Sequence, residues 1–155
     1  MGSIEKEAGV NRKAAVLARV LVAVVFLLNG AGVIDQSIPA HELVERGAPA
    51  AVVPAIMLSG RVLELVAGSA LALGILPELA ALALLAFLIP ATFVSHSFWE
   101  AWGTAKFQVQ MINFFKNVAI WGGLLFLSAT ETQPALIPLT VLRDKLTQFR
   151  ASKAR

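Results

Sequence analysis

The chain has 155 residues, of which 57% are hydrophobic and only 15% are charged, and its mean hydropathy is +0.75. This composition excludes an ordinary soluble globular domain and is typical of an integral membrane protein. Because cysteine is absent, disulfide frameworks, thiol catalysis, thiolate metal sites and covalent c-type haem attachment are excluded. A formal charge of +3, with basic residues near both ends, fits membrane topology and anionic lipid, so we expect no nucleic-acid partner.

Four apolar runs are long enough to cross a bilayer, which takes about 20 helical residues. We predict transmembrane helices at residues 14–34, 52–76, 78–99 and 112–130. Gly74 and Pro77 leave only a brief turn between the second and third runs, so these two helices should form an antiparallel hairpin. The predicted fold is all-α: a polytopic, antiparallel four-transmembrane-helix bundle, with one membrane domain over residues 14–131.

Residues 1–13 form a polar N-terminal arm in front of the first apolar run. A cleaved secretory signal is the alternative interpretation, but its apolar region is usually shorter and ends at a small-residue cleavage site. The length of the run therefore favours a retained helix. Within it, Arg19 is placed to extend its charge back toward the basic arm.

Two further polar segments are predicted at the membrane surface. Residues 40–46 form a short periplasmic interfacial helix, between turn signals that include Pro39 and Gly47. Residues 132–155 form a basic amphipathic tail, which either lies on the membrane or is solvated and only fixes topology. The short helix also carries acidic and histidine side chains, namely His41, Glu42 and Glu45. We interpret these as a solvated face and predict no metal site, because no second histidine or cysteine is nearby.

The distribution of lysine and arginine predicts the orientation of the chain. The arm and the tail carry most of the basic residues, the hairpin turn carries none, and the two opposite loops carry Arg46 and Lys106. Both termini should therefore face the cytoplasm. The predicted localisation is the cytoplasmic (inner) membrane of a bacterium or archaeon, with the chain crossing it several times.

The stretch GRVLELVAGSALALG in the second predicted helix contains the most informative charges. Arg61 and Glu64 are three residues apart, on one side of the helix, where they can form an ion pair. Glu64 also lies on a stripe of small residues with Gly60 and Gly68. Small residues allow a neighbouring helix to approach, and a charge in lipid is costly, so this face should point into the bundle.

Counting about 1.5 Å per residue from the helix ends brings polar side chains of all four helices to one level. The candidate ligand-binding residues in this layer are Asn29, Arg61, Glu64, His96, Lys116 and Asn117, with Thr92 at the same depth. Glu64 and His96 are candidates for proton exchange, and no catalytic residue is assigned. If Lys116 points inward, the layer suits an anion or the carbonyl oxygens of a quinone headgroup. The alternatives are that Lys116 extends outward, and that the layer is a polar network that fixes helix register.

Two features of the last helices concern their packing. Pro90 should kink the third helix, because it removes one backbone donor and frees the carbonyl of Ala86. The residues that follow on one predicted helical face are Thr92, Ser95, His96 and Trp99. In the fourth helix, adjacent Gly122 and Gly123 are predicted to allow close packing.

Taken together, four segments of the chain resemble the DoxX family of membrane proteins, in the broader group that includes DoxD. The similar segments are VFLLNGAG, GAPAAVVPAIMLSGRVLELVAGSALALG, HSFW and NFFKNVAIWGGLLFL. The motif positions carried over are Arg61, Glu64, Gly68, His96, Phe98, Trp99, Asn113, Lys116, Asn117, Gly122 and Gly123. In one departure, Val33, Ile34 and Asp35 stand where the family has a lysine soon after the glycine of the first helix.

The resemblance implies a four-helix bundle that is in some members linked to membrane redox systems. DoxD-like proteins are subunits of a thiosulfate:quinone oxidoreductase, and DoxX-like ones are associated with oxidative-stress partners. We therefore expect a non-catalytic accessory or redox-associated, quinone-linked subunit of a membrane complex.

If the chain is part of an enzyme, it is expected to be the membrane subunit of a quinone-linked oxidoreductase, with quinone as the candidate cofactor. His96 is the only histidine near a predicted membrane helix, so two-histidine haem ligation within the membrane is not expected. Expected partners are the lipid bilayer and other membrane subunits or further copies of the chain. The alternative function is a transporter or binding protein for a small solute or lipid. Such a protein would act as an oligomer, because four helices without an evident internal repeat make only a small pore.

Overall fold

The computed structural model describes the backbone of residues 2–130 and the side chains of residues 13–130. The described part of the chain contains helices joined by short connections and no strand, and its helices are α1 Gly2–Gly30, α2 Ser37–Glu45, α3 Val53–Leu73, α4 Pro77–Ser95 and α5 Phe107–Thr130. The segments long and apolar enough to cross a membrane are Lys13–Gly30, Val53–Leu73, Pro77–Ser95 and Phe107–Thr130. The predicted all-α fold with four membrane-spanning helices is confirmed. The predicted tail at 132–155 lies outside the described residues.

The four long helices form a ring in which neighbours in space are not always neighbours in sequence. α1 packs against α3, α3 against α4 and α4 against α5, while α1 and α5 touch only lightly. The short α2 lies across α3 and α4 at one end. We call this the α2 end of the bundle, and the end that contains the turn between α3 and α4 the hairpin end. The core holds apolar side chains from all four long helices, including Ala23, Phe26, Leu71, Ala81, Leu84, Leu124 and Leu127.

Small residues bring α1 and α3 into close antiparallel contact. Gly30 of α1 lies against the backbone of Arg61 and Leu65, and Gly68 of α3 lies against Leu27. Gly60 packs instead against Phe87 of α4. The stripe of small residues on α3 is thus used inside the bundle, against two different neighbours.

The hairpin between α3 and α4 is as brief as the sequence predicts. Gly74 closes α3 in the left-handed conformation, with φ of 69°, and the N–H of Ile75 donates to the carbonyl of Ala70 at 2.8 Å. This is the 6→1 bond of a Schellman cap. Pro77 then begins α4, at a position that requires no backbone donor.

Arg19 of α1 is enclosed by the bundle at the hairpin end. Its side chain is 1% exposed, and its Nη1 lies 2.6 Å from where a Cβ on Gly74 would stand. The carbonyl end of α3 carries partial negative charge, which favours a guanidinium there. Because α1 and α3 are antiparallel, the N-terminal part of α1, which includes residues 2–13 of the predicted arm, also lies toward this end. Arg19 therefore lies toward the N-terminal end of α1, the direction that the sequence predicts for its charge. Its side chain packs against α3 instead of extending into the headgroup region.

Several helix ends differ from their predicted positions. α1 ends at Gly30 instead of residue 34, because the chain turns at Gly32, whose φ is 77°. α4 ends at Ser95, so Trp99 does not share the helical face of Thr92 as predicted. α5 begins at Phe107, five residues before the predicted start, which is set later because two glutamines interrupt the apolar pattern in its first turn.

α4 and α2 show how proline is accommodated in this chain. α4 runs without a break through Pro90, which is exposed on the outside of the bundle. The expected kink at this residue stays a prediction. α2 begins at Ser37, three residues before the predicted start, and Pro39 sits in its first turn, where proline is tolerated.

An aromatic cluster joins the end of α4 to α5. Phe93 stacks on Trp121 with ring centroids 6.2 Å apart, and Phe114 meets both Phe93 at 5.4 Å and Trp99 at 5.7 Å in edge-to-face geometry. Such pairs are worth roughly 0.5–1.5 kcal/mol beyond their buried area. These ring contacts therefore help to hold α4 and α5 together.

Candidate functional site

A cavity of about 600 Å³ lies at the α2 end of the bundle, between α3 and α4 and beneath α2. Its walls are mainly apolar and include Ile38, Leu43, Leu63, Phe87 and Val94. Ile56, Ser59 and Pro90 also line it and are exposed on the outside of the bundle. These residues expose the cavity sideways between α3 and α4, on the surface that faces lipid in a membrane-spanning bundle, while exposed Ile34, Asp35 and Ile38 border it toward the α2 end.

Five of the six predicted ligand-binding residues line this one cavity. They are Asn29, Arg61, Glu64, His96 and Asn117. The sixth, Lys116, is exposed and donates to Oδ1 of Asn113, one turn away, at 3.0 Å. The structure thus places Lys116 outside the cavity, as in the outward alternative, and its charge does not contribute to the cavity wall.

Glu64 is the most deeply buried polar group of the cavity, with 2% of its surface exposed. Its Oε1 accepts a hydrogen bond from Nδ2 of Asn29 at 2.7 Å. Its Oε2 is also buried and has no hydrogen-bond partner among the described residues. Buried polar atoms nearly always have a partner, so this oxygen marks a place where a further group would be stabilising.

Arg61 does not form the predicted ion pair with Glu64. Among the described side chains, Arg61 instead donates from Nε to the carbonyl oxygen of Gly30 at 3.1 Å. Gly30 is the last residue of α1, where backbone carbonyls lack intrahelical partners, so this contact satisfies one of them. The ion-pair prediction is wrong because α1 supplies a better-placed partner to each of the two side chains.

His96 sits at the end of α4, in the C-cap position. Its Nδ1 lies 2.9 Å from Oε1 of Gln110, in the first turns of α5. This hydrogen bond orients the ring and leaves Nε2 as the nitrogen that can meet a ligand. The sequence did not single out Gln110, because the residue fell in the connection between the third and fourth predicted helices.

Thr92 and Asn117 link α4 to α5 beside the cavity. Asn117 donates from Nδ2 to Oγ1 of Thr92 at 3.0 Å, and that hydroxyl donates to the carbonyl of Leu88 at 2.7 Å. Thr92 is fully buried but does not line the cavity. Part of the predicted polar layer therefore acts in helix packing, in line with the structural alternative.

The helix α2 covers the cavity although none of its own residues is buried. Arg46, its C-cap residue, makes an ion pair with Glu100 at 2.8 Å and also donates to Oγ of Ser97 and, at 3.3 Å, to the carbonyl of Val94. The hydrogen bond to Glu100 raises the pKa of Arg46 above its ordinary value. We call these contacts the Arg46 latch. The sequence pattern indicated Arg46 only as a topology signal and gave no sign of this role.

The other end of α2 is fixed by a local turn. Oδ1 of Asp35 accepts from the backbone N–H of Ser37 at 3.0 Å, and Oδ2 accepts from its hydroxyl at 2.7 Å. These bonds lower the pKa of Asp35, the hydroxyl contact more than the backbone one. Gln36 adds a longer bond to the carbonyl of Asn29 at 3.4 Å. Polar contacts at both ends, rather than buried apolar side chains, therefore hold the cover in place.

The described side chains contain no group of three or more His, Cys, Asp or Glu residues placed to hold a metal ion. His41 of α2 lies 3.6 Å from Glu45, one turn away, and both side chains are mostly exposed, at 72% and 60%. This is the geometry of a solvated helix face.

The two glycines of α5 do not bring another helix of the chain into close contact. Gly122 is exposed and has nothing near its missing side chain, and Gly123 faces Val22 of α1 at an ordinary 3.8 Å. The prediction of close packing at this pair is not met within the described residues.

A comparison with known protein families agrees with this arrangement. The DoxX family model matches residues 14–97, which is more than half of the chain and includes every cavity-lining residue except Asn117. No curated protein and no solved structure matches the chain. The match and the four apolar helices together show that this chain is a multi-pass membrane protein that belongs to the DoxX family.

Proposed function

We propose that the chain is a redox-associated, quinone-linked subunit of a membrane complex, and that the cavity beneath α2 binds the ring of a lipid-soluble quinone. The observation that carries this proposal is one cavity that joins apolar walls to Asn29, Arg61, Glu64, His96 and Asn117. Small-molecule sites typically have this composition, with roughly 300–1,000 Å³ of mostly apolar space and a few polar groups that fix orientation.

The residue types fit a quinone ring. Arg61 and Asn117 carry N–H donors suited to the ring oxygens, while Phe87 and Leu63 offer apolar surface for its faces. Glu64 and His96, from α3 and the end of α4, are the groups of the cavity that can exchange protons with a ligand. When bound, the quinone would supply two-electron redox chemistry, and the chain's own residues would hold and orient it.

The lateral opening also supports a ligand that arrives through the membrane. Ile56, Ser59 and Pro90 border the opening on the outside of α3 and α4. A hydrophobic quinone concentrates in the bilayer and can enter there without crossing water.

An accessory role follows from the redox groups that the sequence lacks. The chain has no cysteine and only two histidines, and one of these, His41, lies on the exposed face of α2. We therefore propose that a partner subunit exchanges electrons with the quinone. By the positive-inside rule the termini face the cytoplasm of a bacterial or archaeal cell, which puts the cavity in the outer half of the membrane.

Direct ligand binding in lipid nanodiscs tests the proposal. Short-chain benzoquinones and naphthoquinones are titrated against the wild type, against Ala91→Phe, which fills the cavity, and against Ala86→Phe, a matched control. Ala91 lines the cavity, whereas Ala86, on the same helix, is exposed and does not. Binding stabilises the folded state, so it is measured both as retained ligand and as a rise in Tm.

We expect saturable binding to the wild type and to Ala86→Phe, with affinity reduced about tenfold or more by Ala91→Phe, because the added ring competes for the same space. The quinone proposal is wrong if none of the quinones binds the wild type, or if both variants bind equally well. Mass spectrometry of the purified protein adds a second outcome. A co-purified phospholipid that occupies the cavity and blocks quinone binding would favour the lipid-binding alternative.

A further inference from the structure

One buried atom beside the cavity indicates which functional group the ligand carries. Glu64 is 2% exposed, and its Oε1 is occupied by the 2.7 Å hydrogen bond from Asn29. Oε2 is buried and has no partner among the described residues. Leaving a buried carboxyl oxygen without a partner costs more than an ordinary hydrogen bond contributes, so the ligand is expected to complete this pair.

We propose that the ligand presents a hydroxyl group to Oε2 of Glu64, so that the site holds the dihydroxy, reduced form of its quinone more tightly than the oxidised form. This inference rests on the proposed function, since it names the redox state that the same cavity prefers. It depends on the geometry around Glu64 and on the hydrogen-bonding capacity of the two ring forms.

A hydroxyl is the group that fits Glu64 in either of its protonation states. An ionised carboxylate only accepts hydrogen bonds, whereas a protonated carboxyl donates one from its O–H. A hydroxyl can both donate and accept, but a quinone carbonyl can only accept. The carbonyl therefore matches only the protonated acid, whereas the hydroxyl matches both states, so the preference for the quinol comes from the ionised carboxylate. The terminal torsion of a glutamate is soft, so a small rotation brings Oε2 to a ligand in the cavity.

Arg61, one turn from Glu64 on α3, can bind the same hydroxyl. Its hydrogen bond to Gly30 uses Nε, and its guanidinium carries four further N–H donors. A hydroxyl oxygen can accept from one of these while its proton goes to Glu64. The two side chains then bind one hydroxyl cooperatively, although they do not form an ion pair with each other.

The test compares three compounds with the same ring: a short-chain quinol, its quinone and the dimethyl ether of the quinol. Binding to the wild type in nanodiscs is measured without oxygen, so that the quinol stays reduced. The ether keeps the ring and both oxygens of the quinol but has no O–H donor, and the quinone serves as the second, smaller compound without a donor. We expect the quinol to bind about tenfold more tightly than either other compound, the effect of one hydrogen bond to a charged or buried polar group.

Glu64→Gln separates the role of this carboxyl from the rest of the cavity. The amide that replaces the carboxyl keeps an oxygen for Asn29 and turns an obligatory donor toward the ligand, so the preference for quinol over quinone should fall to about onefold. Glu78→Gln is the matched control, because Glu78 is exposed in the first turn of α4 at the hairpin end and should keep the wild-type preference.

The possible outcomes distinguish the inference from the proposed function. Quinone binding as tight as quinol binding in the wild type overturns the inference and leaves the proposed function standing, whereas failure of all three compounds to bind overturns both. A tenfold preference that persists in Glu64→Gln removes Glu64 from the explanation. The comparison of quinol, quinone and ether uses the wild type, so it tests the preference for a hydroxyl even if Glu64→Gln does not fold.

Discussion

Gly30 is the residue on which the contact between α1 and α3 depends. A Cβ there would lie 2.8 Å from the carbonyl oxygen of Arg61 and 3.0 Å from the backbone nitrogen of Leu65. Backbone atoms cannot move aside as a flexible side chain can, so any larger residue must push the helices apart. The same separation would lengthen the hydrogen bond from Arg61 to the Gly30 carbonyl.

We predict that Gly30→Ala destabilises the protein by about 1–3 kcal/mol, the usual cost of overpacking. The measurement is thermal unfolding in detergent, monitored by circular dichroism. Gly122→Ala is the control, because nothing lies within 4 Å of its missing side chain, and alanine favours a helix interior by about 1 kcal/mol over glycine. Equal Tm values for the two variants would contradict the close contact seen at Gly30.

Individual residues also show where sequence reasoning stops. The spacing of Arg61 and Glu64 correctly places both at one cavity, because i and i+3 share a helical side. It cannot reveal that Glu64 binds Asn29 and that Arg61 binds the carbonyl of Gly30. Those partners belong to another helix, 31 to 35 positions away in sequence. Spacing along one helix says which side chains are near each other, and only the packed structure says which partners they choose.

Among the helices, α2 is the one most exposed to local opening. It buries no side chain and covers the cavity through the Arg46 latch at one end and the Asp35 turn at the other. Segments with few buried contacts open at low free-energy cost. The cover can therefore detach while the four long helices remain folded.

Arg46→Gln is expected to increase hydrogen exchange of the α2 amides about twofold to tenfold, because it removes one partly exposed ion pair and weakens the bonds to Ser97 and Val94. The measurement is hydrogen–deuterium exchange by mass spectrometry on the protein in nanodiscs. Lys106→Gln removes the same charge from the neighbouring connection, and Lys106 has no ion pair among the described side chains. If both variants exchange alike, the latch does not hold α2.

The helix ends illustrate which local signals were sufficient. Gly74 and Pro77 predicted the turn between α3 and α4, because each has a conformational preference that no neighbour overrides. The end of α4 was predicted too late, at residue 99, and the start of α5 too late, at residue 112. There the sequence is aromatic and polar on both sides of the boundary, and the helices end where tertiary contacts fix them.

For the molecule as a whole, composition and run length were enough to predict the number of membrane-spanning helices. They could not predict the order of the ring, in which α1 pairs with α3 and touches α5 only lightly. They also could not predict that α2 lies over α3 and α4. Such arrangements depend on the fit between helix surfaces, which hydropathy does not encode.

The arrangement predicts which positions share a side of the membrane. Ala50 and Ala105 lie at the α2 end, in the connections next to α3 and α5, while Glu78 lies at the hairpin end, and all three are exposed. A chain without cysteine gives no labelling background, so each position can be replaced by cysteine in turn. With termini in the cytoplasm, an impermeant maleimide should label Ala50→Cys and Ala105→Cys on intact cells, and Glu78→Cys only after permeabilisation.

Two results would contradict this arrangement in different ways. If only Glu78→Cys is labelled on intact cells, the orientation is the reverse of the predicted one and the four spans are retained. Labelling of all three positions on intact cells would show that the hairpin does not cross the membrane. Permeabilised cells serve as the control, because every exposed cysteine should react there.

The aromatic cluster gives this protein an internal optical signal. Of its three tryptophans, Trp99 and Trp121 each contact Phe93 and Phe114, and Trp102 packs edge-to-face against Phe107. None of the three lines the cavity. Near-ultraviolet circular dichroism of these rings therefore reports the junction of α4 and α5 with little interference from an occupied cavity. The same spectrum can show that a cavity variant has kept its native packing before its affinity is measured.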